Sequence, residues 1–186
     1  MLVNYNLTSA NNPLSIFPAY RLHENRIYER LVARFGVDNI YMLSAGWGLV
    51  RADFLTPYYD ITFSQSAEGY KRRKMSDGYR DFRMLPELTD EEIFFFGGKD
   101  YLPLFLSLTK EVPGKKTVFY NSDRIPQAPD CIVKRFKTTS RTNWHYSCAH
   151  TVLSMTHISS DTCGRSKQFV VCVLRARNCF IPVLII

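Results

Sequence analysis

Three short stretches hold the residues best suited to chemistry: Ser44-Ala-Gly-Trp-Gly48, Gly97-Gly-Lys99 and Asn121-Ser-Asp123. Each follows a short apolar run and so sits where a strand would end. Glycine lets the backbone turn sharply and present its N–H groups to an anion. Ser44, Gly46 and Gly48 would line one side of such a site, and Gly98 with the Lys99 ammonium the other. The chemistry this predicts is the holding of a phosphate or nucleotide. Gly-x-Gly is common, and neither a Walker nor a Rossmann pattern is present. A purely structural role for the glycines therefore stands beside the binding role, and no cofactor is implied.

Asp60 follows a proline and two tyrosines. Its carboxylate is placed to act as a general base or to receive a base edge, or simply to stabilise a turn. Ser44 lies outside a Gly-x-Ser-x-Gly elbow, which leaves a hydrolase triad unsupported. His145, within Arg141-Thr-Asn-Trp-His-Tyr146, has no His-x-x-x-His partner, and no metal site is expected. Lys71-Arg-Arg-Lys74, with Tyr70, Tyr79 and Phe82 nearby, reads either as a phosphate-contacting segment with stacking aromatics or as a solvated face.

A chain of 186 residues is long enough for one domain with a real core. The net charge of +7 favours polyanionic partners such as nucleic acid, or marks a merely basic surface. Five cysteines without CxxC spacing argue against a disulfide framework or a zinc site, and a reducing cytoplasm is the simplest compartment. The N-terminus lacks the build of a signal peptide. The best apolar run, residues 169–186, is cut by Arg175 and Arg177, so no membrane partner is expected.

These residues need elements to position them. Residues 40–43 are uncharged and apolar, which suits a strand covered on both faces. Residues 93–96, 117–120 and 131–136 read as three more strands. Helices are expected over 18–35, stopped by Gly36, over 99–109 with Asp100 as N-cap and Pro103 in the first turn, and over 142–155. Residues 1–17 read as irregular, and 64–83 as a polar connection. The expectation is an α/β fold: one domain over 1–155 with a mostly parallel sheet of about four strands and flanking helices. Residues 156–186 form a tail, read either as one or two added strands or as a segment never selected to pack, such as a shifted reading frame.

The pattern Tyr41-x-Leu43-Ser44-Ala45-x-x-Gly48-Leu49, then Pro57-Tyr58-x-Asp60, resembles the hallmark of a group of small domains. The group includes the peroxide-stress YaaA family and the deazaguanine-associated domain of archaeosine synthase. Its hallmark reads approximately Leu-Ser-Ala-Lys-Tyr-Gly-Leu, then Pro-Tyr-Asp; here Gly46 and Trp47 replace the lysine and tyrosine. Phe95-x-Gly97-Gly98-Lys99-Asp100-Tyr101 is similar to the group's second motif. The resemblance covers residues 19–125 and implies a three-layer α/β domain of uracil-DNA-glycosylase-like shape, with DNA or a nucleobase as partner. It adds Tyr101 to the ligand-binding side and a role in stress response or base modification. If the domain is catalytic, base excision is implied, with Asp60 orienting water. The alternatives are a non-enzymatic interaction module or a truncated, inactive relative with an incomplete pocket. The group usually opens with a strand that this chain lacks, which would leave an unpaired sheet edge beside residues 40–43.

Overall fold

The computed structural model describes residues 1–8, 11–22, 27–87, 91–135 and the backbone of 167–172. In chain order its elements are α1 (Leu2–Thr8), β1 (Phe17–Pro18), α2 (Ile27–Phe35), β2 (Ile40–Ser44), β3 (Gly48–Arg51), β4 (Leu55–Thr56), β5 (Phe82–Arg83), β6 (Glu92–Phe96), α3 (Leu102–Leu108), β7 (Lys116–Tyr120), β8 (Cys131–Arg135) and β9 (Lys167–Cys172). The fold is mixed α/β. One seven-stranded sheet runs in the order β5-β3-β2-β9-β6-β7-β8, and β1 pairs with β4 in a small antiparallel sheet beside it.

β2 is buried along its whole length, as its uncharged sequence requires of a strand covered on both faces. It turns back on itself to pair antiparallel with β3, which in turn carries β5 on its far side. On its other edge β2 pairs parallel with β9, and β9 pairs parallel with β6. β7 and β8 continue in parallel. The carboxyl ends of β2, β9, β6, β7 and β8 therefore all lie along one edge of the sheet.

Helix α2 forms because Tyr28 and Leu31 place apolar side chains one turn apart on a buried face. Glu29 in its first turn and Arg34 in its last complement the helix dipole. Gly36, at φ +83°, stops it, with its N–H still bonded to the Val32 carbonyl at 3.0 Å. In α3, Leu102, Leu104, Phe105 and Leu108 are buried, and Pro103 sits in the first turn, where a missing N–H costs nothing. The Phe105 ring stacks on Phe95 of β6 at 4.5 Å, fixing the helix to the sheet.

Several expectations are corrected by this arrangement. The sheet has seven strands rather than four, because β3, β5 and β9 join the four expected strands. Residues 1–17 include a helix and a strand residue, held by Asn6, whose side chain bonds the Leu55 carbonyl and N–H at 3.0 and 2.7 Å. The α-helix expected over 18–35 is confined to Ile27–Phe35, because Pro18 belongs to β1 and Ala19–Arg21 form a 3-10 turn. The cap of α3 is Tyr101, not Asp100. The edge of β2 is paired with β9, a strand drawn from the segment set apart as a tail. The helix expected over 142–155, with His145, lies outside the described residues.

Candidate functional site

The stretch after β2 is a hairpin turn and not a strand-to-helix turn. Ser44 is 2% exposed, and its Oγ accepts from the Gly46 and Trp47 N–H groups at 3.1 and 3.0 Å. The same hydroxyl donates to the Tyr59 Oη at 2.7 Å. Two amide donors that a ligand would need are thus engaged by the side chain that closes the turn. The Tyr59 ring lies against Gly46, where an added Cβ would meet its Cδ2 at 2.8 Å. Gly48, at φ +79°, has the Asp81 Cβ and the Phe82 backbone within 2.7 Å of the same construction. Both glycines are needed by the packing. Burial pushes the Tyr59 phenol far above its ordinary value, with the Ser44 hydrogen bond opposing the shift.

The Lys71-Arg-Arg-Lys74 segment does not form one basic face. Arg73 is 4% exposed, and its guanidinium binds both carboxylate oxygens of Asp81 and the Ala45 carbonyl. It lies over the rings of Tyr79 and Phe63, 4.1 and 5.2 Å from their centroids. Lys71 is paired with Glu68 at 2.7 Å and Asp60 at 3.2 Å. The Glu68 contact first, then Tyr70 and Asp60, push its ammonium further toward the protonated form. Arg72 bonds Gln65 and the Ala67 carbonyl at 3.3 and 3.4 Å. Lys74 is the exposed member of the four. Asp60, expected as a base, is therefore held in an ion pair.

A cavity of about 300 Å³ opens at the carboxyl ends of β6 and β7. Phe95, Leu102, Val118, Phe119 and Pro126 give it an apolar wall; Gly97, Gly98, Lys99, Tyr120, Asn121 and Ser122 complete it. This is where open α/β sheets bind ligands. Lys99 is exposed, and its ammonium takes part in no ion pair among the described residues. The side chains of Tyr120 and Asn121 are half-buried and make no hydrogen bond among the described residues. Ser122 donates its hydroxyl to the Arg124 carbonyl at 2.7 Å.

Two of the three expected strand ends meet here, the Gly97-Gly-Lys99 and Asn121-Ser stretches. The third does not line the cavity. Met42 and Phe96 are both in register with Val171, so Ser44 and Gly98 stand level, but β9 lies between them. Two strand spacings put them about 10 Å apart. Tyr101 is 1% exposed and belongs to the core: its Oη is 3.2 Å from Thr62 Oγ1 and its ring meets Phe63 edge-on. Sequence reasoning passed over Tyr120, Leu102 and Pro126. Tyr120 was detectable as the last residue of an apolar strand; the other two reach the cavity only through the fold.

No family model, curated protein or solved structure matches this chain. Among the described residues no helix is long and apolar enough to cross a membrane. What the fold and the cavity define is thus a class, a mixed α/β domain with a strand-end pocket.

Proposed function

We propose that the cavity at the ends of β6 and β7 binds a nucleobase or nucleotide, and that the chain is a nucleic-acid-associated domain of the kind its resemblance to the YaaA group implies. A uracil-DNA-glycosylase-like, three-layer architecture is the finer fold that this reading expects, and DNA modification or stress response its setting. The observation that carries the reading is the Lys99 ammonium, in no ion pair among the described residues, beside an apolar wall at the carboxyl edge of parallel strands. Apolar surface with a few convergent polar groups is the usual build of a small-ligand site. Base excision gains no support from the geometry, since Asp60 is paired with Lys71 and is not among the cavity's lining residues.

The test is a pair of measurements on the full chain and on Lys99→Ala: titration with nucleotides and single-stranded DNA, and thermal melting. Hydrogen bonds to charged groups contribute roughly 1.5–3 kcal/mol, so affinity should fall about ten- to hundred-fold with the melting temperature unchanged. Binding that survives the substitution overturns the assignment of the cavity.

A further inference from the structure

We infer that this cavity is cut for a single nucleotide unit bearing one phosphate, with Lys99 on the phosphate, Tyr120 on the face of the base and Asn121 on its edge. The inference rests on the nucleotide reading and narrows it to one ligand size and charge.

Size comes first. About 300 Å³ is at the lower limit of ligand pockets, which run from about 300 to 1,000 Å³. It displaces roughly ten waters at about 30 Å³ each, room for one base with its sugar and too little for a dinucleotide. Charge comes second. Among the described lining residues Lys99 is the one cation, and none is a carboxylate. A lone ammonium suits one phosphate group; a triphosphate ordinarily needs several cations or a metal. Chemistry comes third. Phe95 and Phe119 are locked in ring stacks, Phe95 on Phe105 and Phe119 on Phe96 at 4.1 Å. Tyr120 is the lining ring left half-exposed, and aromatic faces take bases without regard to sequence. The Asn121 carboxamide offers both a donor and an acceptor, the pattern that reads a base edge.

A second, independent observation concerns the surface that would follow a longer polyanion. Three of the four cations in Lys71-Arg-Arg-Lys74 are engaged by Asp60, Glu68, Asp81, Gln65 and the Ala67 carbonyl. The segment best suited by sequence to track a phosphate backbone is turned to holding the protein together.

One ligand chemistry here has two sources, a free nucleoside monophosphate and the terminal nucleotide of a strand. The experiment is calorimetric titration of the full chain with nucleoside 5′-monophosphates, the matching nucleosides, inorganic phosphate, nucleoside triphosphates, and short single-stranded DNA with and without a 5′-phosphate. The monophosphate should bind about ten- to hundred-fold more tightly than its nucleoside. Lys99→Ala should remove that difference and leave nucleoside binding unchanged, while Asn121→Ala should level the preference among bases and keep the phosphate effect. On single-stranded DNA the salt dependence should correspond to no more than one phosphate, a slope of about −0.7 in log–log form. Equal binding of a 5′-phosphorylated strand and the free monophosphate supports a strand-end ligand; binding of the free monophosphate alone supports a free one. Equal affinity for nucleoside and nucleotide, or equal competition by inorganic phosphate, overturns the inference. Affinity that grows with oligonucleotide length, with a slope well beyond one phosphate, overturns it while leaving the broader nucleic-acid reading standing. Absence of binding by every one of these probes removes both.

Discussion

Arg73 grips Asp81 through two parallel bonds, Nη1 to Oδ1 at 2.7 Å and Nη2 to Oδ2 at 2.6 Å, and from the same Nη1 reaches the Ala45 carbonyl at 2.8 Å. One side chain thereby ties the turn after β2 to the start of β5. The neighbouring backbone follows, with the Phe82 N–H on the Trp47 carbonyl and the Met84 N–H on the Leu49 carbonyl, both at 2.9 Å.

Removing one partner of such a buried pair leaves the other charge uncompensated, which destabilises by about 3–5 kcal/mol. Arg73→Ala should lower the urea midpoint accordingly. Arg73→Lys should recover little of the loss, because an ammonium does not reproduce the two-pronged geometry. Lys74→Ala, at an exposed position of the same segment, should stay within about 0.5 kcal/mol of the parent. An Arg73→Ala protein as stable as Lys74→Ala would show that the clamp contributes nothing.

Gly46 and Gly48 differ in why they resist substitution. Gly46→Ala drives a methyl into the Tyr59 ring at 2.8 Å, an overpacking that costs about 1–3 kcal/mol. Gly48→Ala meets backbone atoms at 2.7 Å, which have less room to shift, and adds the strain of φ +79°, about 1–2 kcal/mol. Thermal melts should rank Gly48→Ala below Gly46→Ala. Gly69→Ala and Gly78→Ala, with nothing within 4 Å, serve as neutral controls. The reverse ranking would contradict the packing described for the hairpin.

Tyr59 sets an alkaline limit on stability. In the unfolded chain a tyrosine ionises near its ordinary value of 10.0; in the fold, burial raises that value. The contribution is fully present below about pH 10. It declines as pH rises further, because the unfolded state loses its proton first, at about 1.4 kcal/mol per pH unit for one group. Tyr59→Phe should flatten this decline between pH 10 and 11, leaving the shares of the Tyr41 phenol and the Cys131 thiol, both raised by burial, and of the Lys71 ammonium, raised by Glu68. Denaturant titrations at stepped pH read the slope directly, and an identical slope in Tyr59→Phe would remove Tyr59 from the account.

β9 joins two halves of the sheet that do not otherwise pair among the described residues, β5-β3-β2 and β6-β7-β8. Ending the chain at residue 166 removes its pairings with Ile40–Leu43 on one side and Glu92–Phe96 on the other. The shortened protein should lose its single cooperative transition, and amides of β2 and β6 should exchange faster than in the parent. Unchanged exchange protection in both strands would show that β9 is dispensable.

Local pattern alone determined a good part of this protein. Uncharged runs of four residues marked β2, β6 and β7, since a strand covered on both faces has no polar side to show; β8, which carries Lys134 and Arg135 and is largely exposed, was marked only by its first three residues. Gly36 marked the end of α2, and Gly97-Gly-Lys99 with Asn121-Ser marked two strand ends that do meet at a cavity. Partnership was decided only in three dimensions. Nothing about Gly48 reveals that Asp81 and Phe82 press on it from more than thirty residues away, and the composition of Lys71-Arg-Arg-Lys74 is blind to the Asp81 that draws Arg73 inside. Strands of two residues, such as β1, β4 and β5, carry no period to read; they exist because a neighbour's backbone offers hydrogen bonds. The place of β9 between β2 and β6 is the plainest case: hydrophobicity says that a segment is able to be a strand, while the order of strands depends on pairing between residues far apart in the chain.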